Sequence, residues 1–236
     1  MVEPLVLLPG MMCDARLFGP QIAELSSEMP IMIAPVTQGE RVEEIASSLL
    51  EMLPQRFALL GSDLGAVVAM EILRRAENRV SRIALMGANP LAETPVMAAN
   101  REPEIVKARA GRMAEVMSTA LSPDHLAPGP QRMEVMALVA DMAEVLGADV
   151  FIRQSRAMQR RRDQQAVLRK CKVPALVLCG VHDALCPVKR HSFMAELIPS
   201  AKLTVLENSG HYPMLEQPME TTAALREWMG LPVILR

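Results

Sequence analysis

The fold is decided by residues 57–73, which read FALLGSDLGAVVAMEIL. An apolar run of strand length, Phe57–Gly61, enters a short turn, and apolar residues at helical spacing follow the turn. Gly61 and Gly65 flank the turn, and residues without a side chain let the backbones of a strand and a helix approach closely. The stretch therefore predicts a buried strand, a sharp turn that presents Asp63, and a helix.

Further apolar runs of strand length lie on both sides of this stretch. They are Pro4–Pro9, Ile31–Pro35, Ser81–Gly87, Val173–Gly180 and Lys202–Glu207. Runs that are apolar at almost every position suit strands covered on both faces, as in a parallel sheet. Segments with helical periodicity separate them, for example the one with Val42, Ile45, Leu49 and Leu53 on one face, closed by Pro54. The alternation predicts an α/β fold with a mostly parallel central sheet flanked by helices.

The interval between Gly87 and Val173 departs from this alternation because it contains no convincing strand. Its amphipathic stretches are rich in methionine and are broken by proline, which indicates several helices. Methionine side chains adapt to irregular apolar surfaces and suit the lining of a pocket. We predict that residues 91–170 form a helical lid over the carboxyl edge of the sheet. Residues 1–90 and 171–236 then form one α/β core.

Asp63 is the central residue of the turn, and a carboxylate there is favoured by the positive end of the following helix. It is a candidate nucleophile. Two alternatives stay open at this point. Asp63 could serve only as the N-cap of the helix, for which aspartate is among the best residues. Ser62 could be the nucleophile instead, although Leu60 and Leu64 would then occupy positions that need small residues.

Two further candidates follow the last two predicted strands. Asp183 lies in the loop after Val173–Gly180, and His211 lies in the loop after Lys202–Glu207. The carboxyl ends of parallel strands meet at one edge of a sheet, and open α/β sheets place their sites there. The order nucleophile, acid, histidine therefore predicts a triad of Asp63, Asp183 and His211, with Asp183 hydrogen-bonded to His211.

The chain resembles the α/β-hydrolase superfamily over nearly its whole length, with a helical lid insertion in the sheet core. It is most similar to small bacterial hydrolases in the stretches LLPGMMCD at 7–14, RQSRA at 153–157 and VLCG at 177–180. The resemblance implies that His211 is the base and that Asp183 orients and charge-stabilises it. It also implies an oxyanion hole formed by the backbone N–H groups of Met11 and Leu64.

One feature differs from most of these small hydrolases, which carry serine where this chain has Asp63. An aspartate at that position resembles haloalkane dehalogenases and epoxide hydrolases, whose carboxylate attacks an sp³ carbon to form an alkyl–enzyme ester. Those enzymes also use a leaving-group donor, which is a tryptophan beside the nucleophile or a pair of lid tyrosines. Here the neighbour is Leu64, and the only such residues are Trp228 and Tyr212.

Three functions are compatible with this pattern. The leading hypothesis is a hydrolase that acts on a small organic substrate through a covalent ester on Asp63, resolved by water that His211 and Asp183 activate. The second is a serine-esterase-type scaffold in which Asp63 replaces the nucleophilic serine and leaves little or no turnover. The third is a non-catalytic protein of the same fold that binds a small ligand. The scissile bond (ester, lactone, halide or epoxide) stays unresolved.

Composition and charge narrow the choice of partners. The formal net charge of -2 and the pI near 6.1 disfavour nucleic acid as a partner. No apolar run is long enough to span a bilayer, and no basic leader precedes the first one, so we expect no membrane contact and a cytoplasmic location. No metal-ligand spacing or dinucleotide-binding glycine pattern occurs, so we expect no metal and no cofactor. A monomer or homodimer is expected.

The arginines of the insert and the remaining histidines are expected mainly at the surface or as packing residues. The arginine run 160–162, with Arg153 and Arg156, is typical of a solvated face. An arginine of this group that turned inward would bind an anionic substrate through bidentate hydrogen bonds. The other histidines are His125, His182 and His191. The four cysteines show no CxxC spacing and are expected as buried, reduced thiols.

Overall fold

The computed structural model describes residues 3–232, and within them one sheet contains six strands. The strands are β1 Leu5–Leu8, β2 Ile31–Ile33, β3 Phe57–Ser62, β4 Val80–Met86, β5 Ala175–Gly180 and β6 Ala201–Leu206. Their spatial order is β2-β1-β3-β4-β5-β6, and every pairing is parallel. The predicted α/β class, with its parallel central sheet, is confirmed, and each predicted strand run overlaps an observed strand.

Helices connect the strands in the same described part of the chain. They are α1 Gly19–Leu25, α2 Val42–Met52, α3 Leu64–Arg75, α4 Pro95–Arg109, α5 Met113–Ala120, α6 Arg132–Gln159, α7 Gln165–Arg169, α8 Val188–Leu197, α9 Pro213–Glu216 and α10 Pro218–Met229. Two short 3₁₀ turns, Ala15–Phe18 and Pro123–His125, complete the set. Within residues 3–232, none of the helices combines the length and the apolar character that crossing a bilayer requires.

The apolar runs form central strands because both faces of the sheet are covered. In β1, Val6 and Leu8 pack into the core beside α2 and α3, whereas Leu5 and Leu7 pack on the opposite face beside α1 and α10. Successive side chains of a strand point to opposite faces, so a strand covered on both sides is apolar at every position. All four side chains are fully buried. The sheet is therefore the middle layer of a three-layer structure.

The turn between β3 and α3 is held against β1 by two glycines. A Cβ atom on Gly65 would lie 2.1 Å from the carbonyl oxygen of Leu8, and one on Gly61 would lie 2.4 Å from the carbonyl oxygen of Gly65. Both distances are far below van der Waals contact. The close approach brings the loop that follows β1 beside Asp63.

Four helices, α4 to α7, occupy the interval between β4 and β5, and no strand occurs between residues 87 and 174, all of which the structure describes. The helix α6 is interrupted at Gly147, where φ is 77°. The helices α4, α5 and α6 share a small apolar core that also contains Met12 from the loop after β1. The helical insert and the sheet core are therefore packed together at that loop.

The four cysteines are free, buried thiols. Burial raises the pKa of each thiol, and that of Cys179 reaches about 12. Thiols in such surroundings stay protonated and behave as small apolar side chains.

Replacement of Gly65 by alanine tests the close approach of the turn to β1. Because the new methyl group would overlap the Leu8 carbonyl, we expect the free energy of unfolding to fall by about 3 kcal/mol or more. Urea denaturation followed by circular dichroism measures the change. Gly19→Ala is the control, since no heavy atom lies within 4 Å of its Cβ position, and its stability should change by less than about 1 kcal/mol. Equal effects of the two substitutions would contradict the packing argument.

Candidate active site

Asp63 lies at the sharp turn between β3 and α3 in a strained backbone conformation. Its φ is 48° and its ψ is −116°, a combination that residues other than glycine rarely adopt. The turn is held by the Asp63 N–H group, which donates to the carbonyl oxygen of Met86 at 2.9 Å. Strain of this kind costs about 1–3 kcal/mol and is concentrated at functional sites.

The Asp63 carboxylate is bound by the loop after β1. The backbone N–H of Met11 donates to Asp63 Oδ2 at 2.9 Å. The side chain makes no capping hydrogen bond to α3. The view of Asp63 as a simple helix cap is therefore wrong. Within the described residues Oδ1 accepts no hydrogen bond, so this oxygen is available to the cavity.

Ser62 does not take part in this arrangement. It is the last residue of β3, its side chain is buried, and its Oγ atom has no hydrogen-bond partner in residues 3–232. Ser62 does not line the cavity beside Asp63. The structure thus contradicts the alternative in which Ser62 is the nucleophile, because a strand-end side chain that points into the core cannot meet a substrate.

The N–H groups expected for an oxyanion hole lie on the two elements that flank Asp63. Met11 precedes Met12, whose φ is 55°, in a turn closed by a hydrogen bond from Cys13 N–H to Gly10 O at 3.2 Å. Leu64 is the first residue of α3. The first N–H groups of a helix have no acceptor inside it, so the Leu64 N–H is not used by the helix.

Gln154 of α6 holds the Met11 loop in place, and sequence reasoning did not single out this residue. Its Oε1 accepts from the Met12 N–H at 2.8 Å, and its Nε2 donates to Val36 O at 3.1 Å. The side chain is fully buried. A glutamine in an amphipathic helix gives no sequence signal for such a role, because the two backbone partners are 142 and 118 residues away.

Asp183 and His211 are in contact. His211 Nδ1 and Asp183 Oδ2 are 3.0 Å apart, and Asp183 Oδ1 accepts from the Cys186 N–H at 2.8 Å. The His211 ring lies over Gly87, where a Cβ atom would be 3.0 Å from its Cε1. Burial alone would lower the pKa of His211. The charge and hydrogen bond of Asp183, together with the charge of Asp63, outweigh it and raise this pKa above its usual 6.5.

Glu216 organises the loop that carries His211, and it too was missed from sequence. Its carboxylate accepts from the backbone N–H groups of Gly210 at 2.9 Å, Tyr212 at 2.9 Å and Ala127 at 2.7 Å. The His211 N–H donates to His125 O at 2.8 Å. The segment before α6 is therefore joined to the His211 loop by one buried carboxylate and one backbone hydrogen bond.

Asp63 and His211 line the same cavity, which has a volume of about 340 Å³. The insert contributes Met97, Met117 and Phe151 to its wall. A cavity of this size with an apolar wall and a few polar groups is typical of a small-molecule site. Tyr212, whose ring packs edge-on against His211 at 5.0 Å, also lines it.

Of the arginines predicted at a solvated face, one faces the cavity. Arg161 is buried and lines the cavity wall. The other four bind groups elsewhere. Arg153 donates to Thr37 O, and Arg156 pairs with Glu102. Arg160 pairs with Glu40, and Arg162 pairs with Glu43. The surface prediction is thus wrong for Arg161, which lies just beyond the end of α6, where helical periodicity no longer predicts a direction.

The remaining singled-out residues lie away from the chemistry or only support it. Trp228 is buried in α10, where its Nε1 donates to Pro174 O at 3.3 Å. His191 is buried in α8, His182 is exposed, and neither lines the cavity. No group of three or more potential metal ligands occurs in the part of the chain that the structure describes.

Comparison with known proteins agrees with this architecture. The sequence profile of the alpha/beta hydrolase family matches residues 5–225. The chain belongs to the alpha/beta hydrolase family. Its relatives include hydrolases, and the protein is an α/β-fold hydrolase.

Several proteins that are similar to this chain in sequence or structure are named as hydrolases. The pimeloyl-acyl-carrier-protein methyl ester esterase of Aromatoleum aromaticum is 24% identical over 80% of this chain and 80% of its own. An esterase of Thermogutta terrifontis, solved with malate bound, superposes with a TM-score of 0.87 at 23% identity, covering 96% of this chain and 89% of its own. The enol-lactonase of Burkholderia xenovorans also has a TM-score of 0.87, at 20% identity, with 98% and 92% covered. These structural likenesses show the fold and leave the substrate open.

Replacement of Gln154 by methionine tests its role in holding the Met11 loop. The change leaves the Met12 N–H and Val36 O without their buried partner, and each such group costs about 1–3 kcal/mol. We expect the free energy of unfolding, measured by urea denaturation, to fall by about 2–4 kcal/mol. Gln131→Met is the control, because Gln131 is exposed just before α6 and makes no capping hydrogen bond. A Gln154→Met protein as stable as this control would refute the role.

Proposed function

We propose that this hydrolase cleaves a small organic substrate through a covalent ester on Asp63, which water activated by His211 and Asp183 then hydrolyses. The observation that carries the proposal is the hydrogen bond from the Met11 N–H to Asp63 Oδ2. It fixes one carboxylate oxygen against the protein and leaves Oδ1 to attack. A side chain that merely capped α3 would instead bond to that helix.

In the first step Asp63 Oδ1 attacks an sp³ carbon of the substrate. A bond forms between Oδ1 and that carbon, and the bond from carbon to the leaving group breaks, with its electron pair passing to the leaving group. Tyr212 lines the cavity, and burial raises its pKa well above the ordinary value. Its hydroxyl therefore stays protonated and can donate to a leaving oxygen. The product of this step is an alkyl ester of Asp63.

In the second step water attacks Cγ of the Asp63 ester. His211, held by Asp183 through Nδ1, accepts a proton from the water on Nε2. Negative charge then develops on Oδ2, which the Met11 N–H already contacts. In this proposal the N–H of Leu64, the first residue of α3, is the second donor to that charge. Collapse of the intermediate breaks the bond between Cγ and Oδ1, and the alkyl group leaves with Oδ1 as an alcohol that takes its proton from His211. The carboxyl group of Asp63, which now carries the water oxygen, loses its remaining proton to solvent and is a carboxylate again.

The insert of residues 91–170 acts in this proposal as a lid. Its side chains Met97, Met117 and Phe151 line the same cavity as Asp63 and His211. Exclusion of bulk water strengthens the hydrogen bonds and charges inside the site. The substrate is accordingly a small molecule that fits within the cavity.

The names of the relatives favour one second candidate. They include methyl ester esterases and an enol-lactonase, and most small hydrolases of this superfamily carry serine where this chain has Asp63. In this candidate the chain is an esterase scaffold with little remaining turnover. Asp63→Ser would then create esterase activity toward p-nitrophenyl butyrate, whereas under the covalent-aspartate proposal it abolishes the native reaction.

Replacement of His211 by glutamine should trap the covalent intermediate. Ester formation on Asp63 needs no base, whereas ester hydrolysis does. After incubation with 1-bromohexane, 1,2-epoxyhexane or ε-caprolactone, intact mass should show a persistent adduct of the variant with a probe that the wild type turns over. Peptide mapping should place the adduct on Asp63.

His182→Gln is the matched control, because His182 is exposed beside Asp183 and its loss should leave turnover unchanged without an adduct. A wild type that turns over a probe while His211→Gln accumulates no adduct would overturn the covalent mechanism. A wild type that turns over no ester, lactone, halide or epoxide would overturn the proposal as well and favour a ligand-binding protein.

The pH profile should report the contact between Asp183 and His211. Neutral His211 is the base, so activity falls as pH drops through its pKa, which the two aspartates raise above 6.5. Asp183→Asn removes the charge that contributes most to raising the pKa of His211. The acid limb of the plot of kcat against pH should therefore move to lower pH. The maximal rate should fall on the order of 10²–10⁴-fold, because the base loses its orientation. An unmoved acid limb would show that another group is the base.

A further inference from the structure

Arg161 is a buried cation that has no anionic partner among residues 3–232. It is 7% exposed, and its Nε atom is buried with no hydrogen-bond acceptor among these residues. Within residues 3–232 the guanidinium makes one long contact, from Nη1 to Met158 Sδ at 3.7 Å, and no salt bridge. Buried charges are ordinarily paired, because an unpaired one loses its hydration without compensation. Arg161 lines the same cavity as Asp63 and His211.

The other charges at the cavity are already engaged. Arg101 binds both carboxylate oxygens of Glu93, at distances between 2.6 and 3.0 Å. One oxygen of Asp63 is bound by the Met11 N–H. Burial lowers the pKa of Arg161, while the charges of Glu93 and Asp63 act in the opposite direction. A guanidinium remains protonated under these conditions.

We propose that Arg161 binds a carboxylate group of the substrate, so that the substrate class is a small molecule bearing one carboxylate. The inference rests on the proposed function, since it assigns a substrate-binding residue of the same site. A guanidinium fork matches a carboxylate through two parallel hydrogen bonds. Methionines and Phe151 of the wall would contact the apolar part of the substrate.

The charges of the cavity favour a monoanion over a phosphate. Arg161 and Arg101 carry two positive charges, and Glu93 and Asp63 carry two negative ones, so the cavity is balanced before any ligand enters. One carboxylate adds a single charge next to the free guanidinium. A phosphate dianion would add two charges close to Glu93 and Asp63, with only one unpaired cation to meet them.

Equilibrium binding tests this assignment without any turnover, so its failure is distinct from a failure of the covalent mechanism. Hexanoate and its neutral counterpart hexanamide are titrated into the wild-type protein and into Arg161→Gln by isothermal calorimetry. We expect the wild type to bind hexanoate at least tenfold more tightly than hexanamide. Arg161→Gln should lose this preference and keep its affinity for hexanamide. Arg161→Lys, which keeps the charge and loses the fork, should fall between the two.

Arg160→Gln is the matched control, because Arg160 is the adjacent residue and pairs with Glu40 at the surface. Its preference for hexanoate should equal that of the wild type. Arg161 makes no salt bridge within residues 3–232, so its replacement leaves no opposite charge without a partner. Arg161→Gln should therefore fold, as circular dichroism will show. Absence of hexanoate binding to the wild type would overturn the proposal. An Arg161→Gln protein that still prefers hexanoate over hexanamide would also overturn it. If Arg161→Gln lost affinity for hexanamide as much as for hexanoate, the proposal would likewise fail, because Arg161 would then only shape the cavity.

Discussion

The hydrogen bond from the Met11 N–H to Asp63 Oδ2, at 2.9 Å, is the contact on which the rest of the site depends. It joins two sharp turns, each with a non-glycine residue at positive φ, Met12 in one and Asp63 in the other. The turns meet only because Gly65 lets α3 lie against the backbone of β1. The sheet geometry thus fixes the position of one carboxylate oxygen and, through it, the direction of the other.

Hydrogen bonds between the helical insert and the core also fix the positions of the site loops. Gln154 binds the Met12 N–H, and Glu216 binds the Ala127 N–H together with two N–H groups of the His211 loop. Each side chain therefore ties an insert segment to one half of the site. A change in the packing of the insert would move the Met11 loop or the His211 loop with it. Stability and site geometry are consequently coupled in this protein.

The sheet and the positions of Asp63, Asp183 and His211 could be predicted because their signals are local. A strand buried on both faces is apolar throughout, and a polar residue just after it lies at the carboxyl edge of the sheet. Gln154, Glu216 and the inward side of Arg161 could not be predicted. Gln154 and Glu216 bind backbone groups that are mostly distant in sequence. Arg161 lines a cavity that several helices enclose. No sequence periodicity predicts either arrangement.

The central claim is that Asp63 forms the covalent ester, and isotope labelling tests it most directly. With excess enzyme in ¹⁸O-water, a single turnover of an accepted substrate transfers the water oxygen to Cγ of Asp63 and releases the product with an oxygen that the carboxylate supplied. The account predicts that mass spectrometry finds the label in the peptide that contains Asp63 and no label in the product. Label in the product of the first turnover, with an unlabelled Asp63 peptide, would contradict it, because water would then have attacked the substrate itself.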